Sequence, residues 1–230
     1  MVGEYFIVVV REVDTFDDAY HAAITACEQE GKTFIHPFND KKVIEGQATV
    51  GLEILNQTTE NIDYVFVAVG GGGLSSGLSA VFKYMSPTTK IIGIEPEGAP
   101  SMKTSIAHKK VIALDTIDAF VDGAAVKRVG DLHFDICQQN LSDMITIPEG
   151  KVCQTILDLY NKDAIVVEPA GALSIYALDR YEEDIRGKNV VCIVSGSNND
   201  ITRTAEIKER ALVYANLKHY FIIKFPQRAG

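Results

Sequence analysis

The chain has 230 residues, 47% of them hydrophobic and 23% charged, the balance of a globular protein with a substantial core. Its net charge of −9 repels polyanions over most of the surface, and no Lys/Arg run offers a local exception, so a nucleic-acid partner is excluded. Apolar runs fall well short of a bilayer span, no segment has the makeup of a signal peptide, and Cys27, Cys137, Cys153 and Cys192 are spaced for neither disulfides nor a metal, so a reduced cytoplasmic protein with no membrane partner is expected.

Residues 6–10 form a β-branched run that predicts a strand. Thr15 and Asp18 make a Thr-x-x-Asp cap that opens a helix toward Glu30, with Gly31 as its stop. Residues 33–35 read as a short strand closed by His36-Pro37, and 45–55 as a helix with Val50, Ile54 and Leu55 on one side. Residues 63–69 are a continuous apolar strand of the kind buried on both faces. Four glycines follow, then a helix over about 74–84. Further strands are expected at 91–94, 144–147, 164–167 and 190–194, with helices at 151–161 and 170–181 between them. This alternation predicts an α/β fold with a mostly parallel sheet and helices on both faces. Residues 219–226 predict one more strand, which is either a frayed edge or the opening of a further domain that is cut off.

Gly70, Gly71, Gly72 and Gly73 stand between a buried strand and a helix. Four consecutive glycines are entropically costly, so this backbone needs conformations or approaches that a Cβ would block. Loop amides and the positive end of a helix converge there on a site for a dianionic phosphate; the alternative is a tight turn for close helix–strand packing. Gly71, Gly73 and Gly77 also form a loose dinucleotide fingerprint, with Glu95 placed as a ribose-binding acid, so an NAD(P)-binding oxidoreductase is a rival on spacing. Ser195 ends the strand at 190–194, on the same expected sheet edge. Its hydroxyl either donates to an unprotonated ring nitrogen or caps the next turn. Glu168, before Pro169, either braces this site or sits favourably at a helix N-terminus.

Taken together, Val69-Gly-Gly-Gly-Gly-Leu74, Glu168-Pro-Ala-Gly-Ala172 and Val194-Ser-Gly-Ser-Asn198 resemble the fold-type II pyridoxal-phosphate enzymes, and among them the threonine dehydratases (threonine ammonia-lyases). Thr15-Phe-Asp-Asp-Ala-Tyr20, His36-Pro-Phe-Asn-Asp40, Glu45-Gly-Gln-Ala-Thr49 and Phe120-Val-Asp-Gly-Ala-Ala-Val-Lys127 extend the similarity in the same order. The resemblance implies a tryptophan synthase β-like fold and pyridoxal 5'-phosphate as cofactor. Its phosphate is assigned to Gly70, Gly71, Gly72, Gly73 and the Leu74 amide, and its pyridine nitrogen to Ser195. The implied reaction converts threonine, or serine, to a 2-oxo acid and ammonia; for threonine the product is 2-oxobutanoate, in isoleucine biosynthesis. A homo-oligomer is implied for the complete enzyme. Serine racemases set a metal beside the Glu-Pro motif, but the acidic partner expected six positions after Glu95 is Ser101, so no metal is predicted. Asp40 lies where relatives have an acid near the substrate, or simply in a surface loop.

The family's Schiff-base lysine sits in a Ser-x-Lys-x-Arg-Gly setting, and none of the fifteen lysines here has those neighbours. No catalytic residue is therefore assigned. The resemblance divides the chain into 1–38, a remnant of the small catalytic domain; 39–212, the large cofactor-binding domain; and 213–230, the start of a truncated regulatory (ACT-like) domain. A fragment inactive alone is expected, with a non-catalytic phosphate-ligand-binding module as the alternative.

Overall fold

The computed structural model describes residues 16–224. Four parallel strands, β1 (Tyr64–Ala68), β2 (Lys90–Pro96), β3 (Asp143–Ile147) and β4 (Val190–Cys192), form one sheet in the order β3-β2-β1-β4. The helices are α1 (Phe16–Glu30), α2 (Lys41–Gln57), α3 (Gly73–Met85), α4 (Ser101–His108), α5 (Asp131–Asn140), α6 (Glu149–Asp163), α7 (Pro169–Arg180), α8 (Glu182–Ile185) and α9 (Thr204–Tyr214). The α/β class with helices on both faces is as the alternating pattern predicts.

Strand β1 is the centre, with Phe66 in register with Ile92 of β2 and Cys192 of β4. Successive side chains leave a strand on opposite faces, so Tyr64 and Phe66 fill one side while Val65 and Val67 fill the other. The first side is covered by α6, α7 and α9 through Ile156, Leu173 and Ile207. The second is covered by α2 and α3 through Ile54, Leu55, Leu78 and Phe82. A third cluster joins Val69 to Met102 of α4 and to Phe134 and Cys137 of α5. Burial on both faces is why β1 reads as an unbroken apolar run.

Helix α2 starts at Asp40, whose carboxylate accepts the Lys42 N–H at 2.7 Å. It lies close on α3 because Gly77 has no side chain: a Cβ there would stand 2.6 Å from the Ala48 nitrogen. Helix α1 ends as expected before Gly31, whose φ is +67°.

Three expected strands are not formed over the described residues. At 164–167, α6 runs further than its apolar pattern suggests and ends on Ala164 with φ 55°. The Ile165 N–H then turns back to the Leu159 carbonyl at 3.1 Å, which removes a donor that a ladder would need. Residues 33–35 and 219–224 lie in no element, because a strand is stabilised by a paired neighbour and neither segment has one among the described residues. The predicted strand at 6–10, the Thr15 cap and residues 225–226 lie outside the described residues. Helices α4, α5, α8 and α9 are not among the expected elements. In α4, Ser101 and Ser105 are buried beside Met102, and a pattern search for apolar residues does not see buried serines. No helix among the described residues is long and apolar enough to cross a membrane.

Candidate cofactor site

Strand β1 is followed by Val69, whose N–H bonds to the Ile94 carbonyl at 2.8 Å, and the chain then turns through glycines 70–73 into α3. Three of these glycines are demanded by what lies against them. A Cβ on Gly70 would stand 2.9 Å from the Ala124 Cα, one on Gly71 2.6 Å from the Phe38 ring, and one on Gly72 2.6 Å from the His133 Cβ. Gly72 also has φ of +99°, which side-chain-bearing residues avoid. Gly73 is freer, its nearest contact being an ordinary 3.4 Å to Phe38.

The loop's carbonyls turn back into the protein. Gly71 accepts the Gly130 N–H at 3.1 Å, and Gly72 accepts the Ser76 N–H at 2.9 Å and the Ser75 hydroxyl at 3.1 Å. Among the described residues, the N–H groups of Gly71, Gly72, Gly73 and Leu74 donate to no other backbone carbonyl. Four spare donors at the positive end of a 13-residue helix form an anion cradle. Gly77 separately permits the close packing of α2 on α3, so the loop glycines combine their own close contacts with open amides.

Gly70, Gly71, Gly72, Gly73, Leu74 and Ser195 line one cavity of about 250 Å³, which Phe38, Gln47, Ala124, Glu168 and Ala170 help to close. Ser195 reaches it because β4 runs parallel to β1, so the two strands end at the same edge of the sheet. Its segment is tied down by the Ser174 hydroxyl, which donates to the Ile193 carbonyl at 2.6 Å, and by the Glu168 N–H, which donates to the Gly196 carbonyl at 3.0 Å. Glu168 precedes α7 yet makes no side-chain cap bond to it. Its carboxylate lies against Gly196 and the cavity instead, where a Cβ on Gly196 would collide with it. Of the two readings of Glu168, the geometry favours the brace.

Other residues singled out by the sequence lie elsewhere. Asp40 is a helix cap. Glu95 is fully buried at the end of β2, where its carboxylate accepts the N–H groups of Met102 at 2.6 Å and Lys103 at 2.9 Å. Burial pushes its carboxyl up to about 8, although those two amides and the Lys103 charge favour the ionised form. A ribose-binding acid must face its ligand, so the nicotinamide reading loses the acid it needs. The Ser101 hydroxyl is buried on the Val126 carbonyl. Burial pushes the Cys137 thiol up, that of Cys153 to about 12 and that of Cys192 to about 11, so none is a ready nucleophile. Two residues shape the loop without any sequence sign of that role, Phe38 within the His36–Asp40 stretch and His133, because a contact across 95 positions has no local signature.

An α/β sheet whose central strand ends in a glycine loop at a helix N-terminus, with Ser195 after the adjoining strand lining the same cavity, has the arrangement of an anion-binding α/β fold. The pyridoxal-phosphate dependent enzymes match residues 3–196, and the chain belongs to that family. It is 55% identical over 228 residues to the "L-threonine dehydratase biosynthetic IlvA" of Halalkalibacterium halodurans, covering 99% of this chain and 55% of that protein. The corresponding figures for the Bacillus subtilis protein of the same description are 52% over 230 residues, 100% and 54%. The processed form of threonine deaminase isoform 2 from Solanum lycopersicum superposes with a TM-score of 0.80 at 38% identity, covering 86% of this chain and 58% of that one. The chain thus spans about half the length of the curated relatives it matches.

The family's cofactor, pyridoxal phosphate, fits the cavity: side chains are sterically barred from the loop, spare amides await a dianion, and a neutral hydroxyl stands in the same cavity. When bound, it supplies an electron sink for reactions at an amino acid's α-carbon.

Proposed function

We propose that this chain is the phosphate-gripping part of a threonine dehydratase, which converts threonine to 2-oxobutanoate and ammonia for isoleucine biosynthesis. One observation carries the reading: six residues picked out by motif line a single cavity of about 250 Å³. The 55% identity to a biosynthetic threonine dehydratase supports it. In this reading glycines 70–73 and the Leu74 amide hold the phosphate, Ser195 donates to the pyridine nitrogen, and Glu168 braces the Ser195 segment. Residues 1–38 belong to a small catalytic domain, 39–212 to the cofactor domain, and 213–230 to the opening of a regulatory domain that makes the enzyme allosteric. The apolar, exposed run at 220–223 supports that last assignment. The substrate is threonine or serine, and the complete enzyme is a cytoplasmic homo-oligomer.

Because the lysine motif is not among the 230 residues, the chain alone binds cofactor without turnover. The test is a titration with pyridoxal 5'-phosphate and with pyridoxal. A preference of about tenfold or more for the phosphorylated form is expected, since the cradle contributes only to the phosphate; equal affinities would sink the reading. Ammonia release from threonine should be absent until a polypeptide bearing the lysine motif is added. The alternative, a non-catalytic phosphate-ligand-binding module that also lacks the motif, predicts no ammonia even then.

A further inference from the structure

Residues 109–130, between α4 and α5, form neither helix nor strand. A connection of that length has no ladder of its own to fix it, so its place must come from ties to other elements. Its later part nevertheless makes a wall of the cavity, through Gly123 and Ala124. A Cβ on Gly70 would stand 2.9 Å from the Ala124 Cα, and one on Gly123 would stand 2.8 Å from the Ala170 Cβ and 3.3 Å from Glu168 Oε1. This wall therefore runs from the glycine loop to the Glu168 side. It is a closed turn, since the N–H groups of Ala124 and Ala125 both donate to the Val121 carbonyl at 2.8 Å. A closed turn moves as a unit, so whatever holds residues 118–122 sets where the wall stands.

Two arginines hold them. Arg203 ends the short turn Ile201–Arg203 that leads into α9, and Arg210 lies within α9. With Ile207, buried in the same cluster as Phe120, Val121 and Ala124, they share one helix face. Arg203 spreads its fork over the segment: Nη2 donates to the Phe120 carbonyl at 2.6 Å and Nη1 to Asp122 Oδ2 at 3.1 Å. The other oxygen of Asp122 accepts the Gly123 N–H at 2.9 Å, so a chain of hydrogen bonds runs from Arg203 to the wall itself. Arg210 Nη1 donates to Asp118 Oδ2 at 3.0 Å, while Asp118 Oδ1 accepts the Phe120 N–H at 2.9 Å. The buried Phe120 ring has the two guanidinium carbons 5.0 and 4.3 Å from its centre. An exposed ion pair alone contributes little. Here a carbonyl, two carboxylates and a ring are engaged together, which needs the planar fork of arginine.

We propose that Arg203 and Arg210 are positioning residues for the cofactor's ring: by gripping Phe120 and its flanking aspartates, they hold the Gly123–Ala124 turn as the fixed wall for the body of the ligand, between the glycine cradle and Ser195. Neither arginine lines the cavity, so each acts through that turn.

The inference rests on the reading that the cavity holds pyridoxal phosphate, and the experiment separates the two. The whole chain and its variants are titrated with inorganic phosphate, pyridoxine and pyridoxine 5'-phosphate, which have no aldehyde to react with surface lysines. Arg203→Ala and Arg210→Ala should each lose about tenfold in affinity for both pyridoxine forms, with inorganic phosphate within about twofold of the parent. Arg203→Lys, which cannot span both acceptors, should lose nearly as much as Arg203→Ala. At exposed Asp122, alanine should lose about threefold, and asparagine, which keeps an acceptor for Arg203, should match the parent. A purely structural role would lower the denaturation midpoint and leave these affinities alone. Folded arginine variants that bind pyridoxine 5'-phosphate like the parent, or that lose inorganic phosphate by the same factor, overturn the inference while the cofactor site stands. A parent chain that binds neither inorganic phosphate nor pyridoxine 5'-phosphate overturns both. If the alanine variants at 203 and 210 do not fold, Arg203→Lys and the two Asp122 variants decide the matter.

Discussion

The glycine loop after β1 and the Ser195 segment after β4 line one cavity, yet they are held by different forces. The loop follows the central strand, with neighbours on both edges, and is shaped by steric contact with Ala124, Phe38 and His133. The Ser195 segment follows a three-residue edge strand, is exposed, and depends on a few hydrogen bonds to α7 and its N-terminus. Contact forces rise steeply over tenths of an ångström, whereas hydrogen bonds tolerate small shifts. The glycine loop is therefore the rigid wall of the cavity and the Ser195 segment the adaptable one.

The sharpest break in that comparison is Gly72→Ala, which sets a Cβ against His133 in a left-handed backbone. It should destabilise the fold by about 3 kcal/mol or more, while neighbouring Gly73→Ala costs about 1 kcal/mol or less. Urea denaturation of both variants reads this difference, and equal losses would show that contact does not set the loop's shape.

Next in size is a pH effect from the buried groups supporting the loop. Glu95 has a pKa of about 8 against 4.5 when unfolded, so its contribution is complete below 4.5 and lost as pH rises through about 8. His133 works oppositely: at about 4 against 6.5, its contribution is present above 6.5 and lost as pH falls through about 4. Between pH 6.5 and 8, Glu95 alone of this pair titrates differently in the two states. Stability should therefore fall across that window, by an amount on the order of 2 kcal/mol, and Glu95→Gln should flatten the slope. An unchanged slope in the variant would remove Glu95 as its source.

On the adaptable wall, Ser174→Ala removes the tie to Ile193 and should cost about 1–2 kcal/mol, read as a lower denaturation midpoint. The smallest expected effect is Ser195→Ala, within about 0.5 kcal/mol in stability, with its consequence confined to cofactor affinity. A Ser195→Ala loss as large as that of Gly72→Ala would erase the distinction between the two walls.

Much of the sheet was legible because β1, β2 and β3 are apolar runs with turn residues at their ends, and the six site residues were legible as motifs. What went unread follows one pattern. The segment 164–167 has a strand's composition but no paired neighbour among the described residues, and helix α4 buries serines that an apolar count passes over. Glu95 has a ribose-binding acid's spacing, and only the fold places its carboxylate on the amides of Met102 and Lys103.

By itself the sequence determined the alternation of strands and helices, the glycines that free the loop from side chains, and the family to which those motifs belong. These are local properties, written in a few consecutive residues. Only the tertiary structure decided that Ser195 shares a cavity with Gly72, that the Glu168 carboxylate lies against Gly196 rather than capping α7, and that Phe38 and His133 back the loop. Each of those depends on parallel strand order and on contacts between distant segments, which close packing settles and local composition does not encode.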